Sequence, residues 1–211
     1  MTPVVDPYRV REASFLRSSP SLGACGAVSA PEIAFLGRSN VGKSSLLGEL
    51  LSRPKLVKTS RTPGRTRDVN LFSVSLKRVV GEDTSEADFI FADLPGYGYA
   101  KVSGDERQRM GGLLTDYLAR REGLIAVVQL FDLRHAPSRE DVAALDGLRQ
   151  HDYELVLVAT KADKLTRNQR GAARRQLASA LGVAAGELVL FSTLEHTGRA
   201  EVWERLWRAP T

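Results

Sequence analysis

The chain has 211 residues, 43% of them hydrophobic, which suits one domain with a proper core. Thirty Lys and Arg against 25 Asp and Glu give a net charge of +5, an excess that fits either a polyanionic partner or an ordinary charged surface. The single cysteine, Cys25, excludes an intrachain disulfide and suits a reducing, cytoplasmic location. No stretch approaches the roughly 20 apolar residues of a membrane span. The small, apolar run Ser21–Ala30 ends in Val-Ser-Ala like a leader cleavage site, but Asp6, Glu12 and Pro20 break the regions that a leader needs.

In chain order, residues 1–30 read as an N-terminal extension in which the run from Glu12 to Ser18 could form an edge strand. The main domain is placed at 31–211. Ile33–Leu36 reads as a short strand buried on both faces, ending at a glycine. Ser44–Leu51 reads as a helix with Leu46, Leu47 and Leu50 on one side. Residues 52–68 read as a polar loop rich in Arg, Thr, Pro and Gly. Val69–Leu76 alternates as a strand, 77–87 reads as a charged hairpin-like connection, and Asp88–Ala92 as the next strand. A Gly-rich loop runs to Ala100, then a helix over Ser103–Arg121 and a buried strand over Leu124–Asp132.

A helix capped by Ser138 runs to Gln150, followed by a strand over Glu154–Ala159 and a basic helix over Thr166–Leu181. A strand over Glu187–Phe191 and a helix over Arg199–Arg208 complete the chain. This alternation predicts an α/β fold with a parallel sheet and helices on both faces. Ligands of such sheets bind at the carboxyl ends of the strands, where the following motifs fall.

Gly37-Arg38-Ser39-Asn40-Val41-Gly42-Lys43-Ser44 matches GxxxxGK[ST] between a predicted strand and a predicted helix. Backbone N–H groups of such a loop, which extends to Ser45 here, curl around phosphates. Lys43 reaches the β- and γ-phosphates and the Ser44 hydroxyl ligates Mg²⁺. Thr160-Lys161-Ala162-Asp163 follows the next-to-last strand. A carboxylate at Asp163 can accept two hydrogen bonds from guanine, a donor pair that adenine lacks. Lys161 can lay its methylene stem along the base. The commoner motif begins with Asn, and the shorter Thr160 is expected to tie this loop less firmly to the phosphate loop. Asp93-Leu94-Pro95-Gly96 ends a strand. Asp93 suits Mg²⁺, through water, and the Gly96 N–H suits the γ-phosphate.

Thr62 to Asp68 (Thr-Pro-Gly64-Arg65-Thr66-Arg67-Asp68) occupies the first switch position. Thr66 is the choice for the third Mg²⁺ ligand and Thr62 its rival. Lys43, Thr66 and Gly96 are the catalytic candidates. Tyr97 follows Gly96 where many small GTPases keep a water-orienting glutamine. Its ring either swings away or leaves the water to another group, which predicts slow turnover, stimulated by a partner or a cation.

The strings GRSNVGKSS, TPGRTR and DLPGYGYAKV together resemble the EngB family of bacterial GTPases, and Asp132-Leu133-Arg134-His135 and Phe191-Ser192-Thr193 fit it too. The likeness runs from about Phe15 to Trp203. It implies a single GTPase domain of three-layer P-loop fold, with a mostly parallel, mixed sheet and an extra strand near the N-terminus, and a Mg²⁺-dependent GTPase acting in large ribosomal subunit assembly, hence in normal cell division. It implies guanine contacts from backbone groups of Phe191, Ser192 and Thr193, and K⁺ held partly by Asn40. GTP, GDP and ribosomal RNA are the expected partners, with a monomer as the default.

Arg61, Arg65, Arg67, Arg107 and Arg109 near the switches could meet rRNA phosphates. So could Lys164, Arg167, Arg170, Arg174 and Arg175 on the basic helix. A guanine-nucleotide sensor acting on division or stress proteins, with incidental hydrolysis, is the competing reading. An ATP-using enzyme is disfavoured by Asp163.

Overall fold

The structure is a computed structural model that describes residues 6–59, 68–98 and 103–209. The strands are β1 (Tyr8–Ser19), β2 (Glu32–Gly37), β3 (Val69–Val80), β4 (Asp83–Asp93), β5 (Leu124–Asp132), β6 (Glu154–Thr160) and β7 (Leu188–Leu190). The α-helices are α1 (Lys43–Leu50), α2 (Pro54–Thr59), α3 (Gly104–Arg120), α4 (Arg139–Leu148), α5 (Arg167–Leu181) and α6 (Arg199–Trp207).

They build one seven-stranded sheet in the order β1-β3-β4-β2-β5-β6-β7. β4, β2, β5, β6 and β7 pair in parallel, while β3 is antiparallel to both β1 and β4. The fold is therefore the α/β sheet that the alternation of elements predicts, mixed and mostly parallel as the family resemblance implies.

β2 is buried at every position because helices cover both of its faces. On one face Ile33 and Phe35 join Leu46, Leu47, Phe91 and Trp203 beneath α1 and α6. Phe91 lies 4.8 Å from Phe35 and 5.3 Å from Trp203 between ring centroids. On the other face Ala34 and Leu36 join Leu113 and Tyr117 of α3. Leu145 of α4 and Leu177 of α5 cover Phe131 and Leu157 beside them.

Helix starts follow their capping chemistry. Ser138 and Asp141 form a reciprocal capping box on α4, while at the start of α5 the Gln169 side chain accepts from the Thr166 N–H and hydroxyl, both at 2.9 Å, and Gly182 ends α5 in a left-handed conformation.

Two local readings are refined. The hairpin-like connection over 77–87 is itself strand, because β3 and β4 continue as a ladder through Lys77↔Glu86 to Val80↔Asp83. Its tip reverses at Gly81, whose φ of +62° favours glycine. This end of the ladder is mostly exposed and charged, so it lacks the apolar alternation that marks a half-buried strand. Within the supposed loop 52–68, Pro54 opens the short α2 at the first helical position that proline favours, and Val57 is buried. At the sheet edge, β1 begins earlier than the apolar run suggests. Tyr8 anchors it by packing against Trp203 at 6.2 Å.

Candidate functional site

The parallel strands bring their carboxyl ends to one edge of the sheet, with β2 as the point where the order reverses. The chain leaves β2 at Gly37, where a Cβ would meet Val41 Cγ1 at 2.9 Å and the Leu130 carbonyl at 3.1 Å. It then turns through Asn40 (φ +63°) and Gly42 (φ +113°) into α1. Left-handed turns of this kind bend the backbone into an amide-lined concavity at a helix N-terminus, suited to anions. Arg38, Ser39, Asn40, Val41, Gly42, Lys43, Ser44 and Ser45 all belong to this loop and the first turn of α1.

β4 runs beside β2 with Asp93 opposite Phe35. Asp93 is fully buried, and the Lys43 ammonium donates both to its carboxylate and, at 2.7 Å, to the Leu94 carbonyl. The Ser39 N–H donates to the Tyr97 carbonyl at 3.1 Å, so the segment Leu94–Pro95–Gly96–Tyr97 is laced to the phosphate loop. The Tyr97 ring does swing away from the site: its hydroxyl donates to Asp141 Oδ1 at 2.8 Å, at the start of α4. Burial pushes that phenol far above its ordinary pKa. The residue is therefore a neutral hydrogen-bond donor, not a base.

Thr160 ends β6 at 2% exposure. Its hydroxyl lies 2.6 Å from the Val41 carbonyl and 3.0 Å from that of Phe131. The expected loose tie is thereby corrected. The short side chain is a close link to the phosphate loop, lying beside Gly42, where a Cβ would make an ordinary 3.5 Å contact with it. Lys161 follows in the left-handed region at φ +60°. Its ammonium donates to the Asn40 carbonyl at 2.7 Å and to Asp132 Oδ2 at 2.8 Å. The Ala162 N–H donates to the Phe191 carbonyl at 3.2 Å.

Ser192 donates its hydroxyl to Asp163 Oδ1 at 2.8 Å. Burial opposes ionisation of Asp163, but the Ser192 and Lys164 side chains outweigh it and hold the carboxyl below its usual pKa. An ionised Asp163 can accept two N–H groups from a base edge. Thr193 opens the turn that Ser192 and Thr197 close by reciprocal backbone bonds. Gly198 is required behind it, since a Cβ would lie 2.3 Å from the Leu190 carbonyl.

The structure thus brings the phosphate loop, Asp93–Gly96, Thr160–Asp163 and Phe191–Thr193 to one edge. Asp68 immediately precedes β3 and faces Arg109 at 3.5 Å. Thr62, Gly64, Arg65, Thr66 and Arg67 lie outside the described residues. Gln129 and Asp141 are site neighbours without a motif of their own in the sequence reading, whereas Arg134 belongs to the Asp132–His135 string. A cavity of about 280 Å³ beside the phosphate loop is lined by Arg38, Asn40, Asp132, Arg134, His135 and Lys161.

With this geometry in view, a family model described as "50S ribosome-binding GTPase" matches residues 32–161. A probable GTP-binding protein EngB from Anaeromyxobacter sp. (strain Fw109-5) is 43% identical over 205 residues, covering 97% of this chain and 94% of that protein. The chain belongs to the EngB family of GTPases. Its EngB relative from Desulfatibacillum aliphaticivorans is 41% identical over 93% of this chain and 91% of its own length.

Among solved structures, a probable GTP-binding protein EngB superposes with a TM-score of 0.62 at 20% identity, over 83% of this chain and 96% of its own. The GTPase Era, in a complex with MgGDPNP and a 16S ribosomal RNA fragment, superposes at 0.61 and 20% identity, over 86% of this chain and 57% of Era. These two show the shared fold. Among the described residues no helix is long and apolar enough to cross a membrane. As an EngB-family GTPase, the chain converts GTP to GDP and phosphate.

Proposed function

We propose that this GTPase is a slow, Mg²⁺-dependent switch in assembly of the large ribosomal subunit, and so serves cell division. The observation that carries the nucleotide reading is the joint placement of buried Lys43 and Asp93 with the Asp163–Ser192 pair on one sheet edge.

In this reading the backbone of Gly37–Ser45 cradles the phosphates, and Lys43 moves from its bonds with Asp93 and Leu94 onto the β- and γ-oxygens. The Gly96 N–H meets the γ-phosphate, with Gly64–Asp68 closing over it. Asp163, with Lys161 and the backbone of Phe191–Thr193, selects guanine. The Ser44 hydroxyl, the Asp93 carboxylate and Thr66 are hard oxygen donors that fit Mg²⁺, which keeps several waters and takes few protein ligands. When bound, the ion neutralises charge that develops on the phosphates.

Slow turnover follows from the Tyr97 hydroxyl being held by Asp141, since no side chain at that position orients water. Asn40, at the exposed rim of the phosphate loop, is proposed to help hold K⁺. Equal turnover in K⁺ and Na⁺ buffers counts against that role. Residues 31–211 are proposed as the GTPase domain, with 1–30 adding the edge strand, in a cytoplasmic monomer.

The partner assignment draws support from the ribosome-binding description of the matching family and from the basic net charge. The deciding experiment measures GTP turnover of the purified protein with and without large-subunit precursor particles, with competition by GDP and ATP. Stimulation by particles supports the assembly role. Guanine-specific binding without stimulation sends the partner back to the nucleotide-sensor reading.

A further inference from the structure

We infer that Asp132 is a positioning residue for nucleotide retention: it holds Lys161 in the pose that joins the guanine-reading loop to the phosphate loop. The inference rests on the reading of Thr160–Asp163 as the guanine reader.

Lys161 is a long, flexible side chain on a backbone conformation uncommon for lysine. Left alone, such a chain samples many rotamers, and fixing one of them has an entropic cost. Here its ammonium is stretched between the Asn40 carbonyl at 2.7 Å and Asp132 Oδ2 at 2.8 Å. The first contact crosses from one nucleotide-reading loop to the other. The second is the charged one, and its side chains are only 27% and 17% exposed, so water screens it incompletely.

Asp132 is itself prevented from turning. The Arg134 guanidinium grips it as a fork, Nε to Oδ1 at 2.8 Å and Nη2 to Oδ2 at 2.7 Å, and the Arg134 N–H adds a third bond to Oδ1 at 3.1 Å. A bidentate arginine fixes the plane of a carboxylate as well as its distance. The relay therefore runs from Arg134 to Asp132 to Lys161 to Asn40. It makes the two loops move together, so a bound nucleotide is released only when both give way. The strand end does not depend on the carboxylate: Asp132 pairs with Thr160 in the β5–β6 register, and the Leu133 N–H donates to the Thr160 carbonyl at 3.1 Å. Asp132→Asn should therefore fold.

The test is release of fluorescent GDP from the full chain, followed by stopped flow. Asp132→Asn keeps the shape but loses the charge, and should release GDP about tenfold faster, the scale of one charge-assisted hydrogen bond. Arg134→Ala should accelerate release a few-fold, and Arg134→Lys should recover part of that loss. In a Lys161→Met background, either change should add less than about twofold, because the group they act through is gone. Wild-type release from Asp132→Asn would overturn the inference. So would the same acceleration with and without Lys161. Should circular dichroism find Asp132→Asn unfolded, the Arg134→Ala and Lys161→Met cycle decides on the same criterion. Displacement of GDP by ATP as readily as by GTP in the wild type would instead bring down the guanine-site reading beneath it.

Discussion

Replacing Thr160 by valine exchanges a hydroxyl for a methyl of nearly equal size at a position only 2% exposed. Two effects follow from the geometry. The hydroxyl shared between the Val41 and Phe131 carbonyls is lost, at a cost of about 1–3 kcal/mol for a buried bond whose acceptors keep no equivalent donor. For a chain of this size that lowers Tm by roughly 2–12 °C. The second effect is steric. The hydroxyl oxygen sits 2.6 Å from the Val41 carbonyl, whereas a carbon needs roughly 3.3 Å even when it donates a weak C–H bond. The phosphate loop must therefore retreat by about 0.7 Å, a displacement large enough to weaken nucleotide binding at least several-fold. Thermal melts with and without GDP, together with a fluorescent-GDP titration, read both effects. Thr160→Ser should restore most of the loss. A Thr160→Val protein that melts and binds GDP like wild type would refute the assignment of this hydroxyl as the link between the loops.

Asp163→Ala should weaken GTP binding by at least about a hundredfold while leaving weak ATP binding unchanged, read by nucleotide competition; equal loss for both nucleotides would argue against base reading. Glu32 is buried, with Tyr117 donating at 2.6 Å and Arg121 at 2.6 and 2.7 Å, so Glu32→Ala leaves an uncompensated guanidinium and should destabilise by about 3–5 kcal/mol in a urea melt. Because Arg134 and Lys161 hold Asp132 well below the usual carboxylate pKa against the opposing effect of burial, its ionisation stabilises the fold fully above about pH 4 and less as pH falls towards the folded-state value. The stability difference between wild type and Asp132→Asn should accordingly be flat near neutrality and shrink in acid; a difference that grows as pH falls would contradict that sign.

Much of the site is legible in the chain because its parts are local. A glycine-framed loop between a strand and a helix needs no distant partner to be recognised, and neither do the capping residues Ser138 and Thr166, whose hydrogen bonds reach three residues along. The β5 strand stands out as an apolar run interrupted only by Gln129 before its terminal Asp132, because it is covered on both faces. Less visible are elements whose stabilising contacts lie far away in the chain. The outer halves of β3 and β4 look like a charged loop because their pairing is cross-strand and their surroundings are solvent. The short α2 hides in a polar stretch because burial of Val57 against the core, not helical periodicity, holds it.

The sequence by itself determined the α/β order, the phosphate-loop motif and the placing of a carboxylate, Asp163, just past a strand end, since each is set by residue type at short range. Only the tertiary structure decided how these loops hold one another. Thr160 reaches Val41 across 119 positions, Lys161 reaches Asn40 across 121, and Tyr97 reaches Asp141 across 44. Pairings of that span depend on parallel strands delivering their ends to one edge, and no local pattern of residues encodes the angle and distance at which two such ends meet.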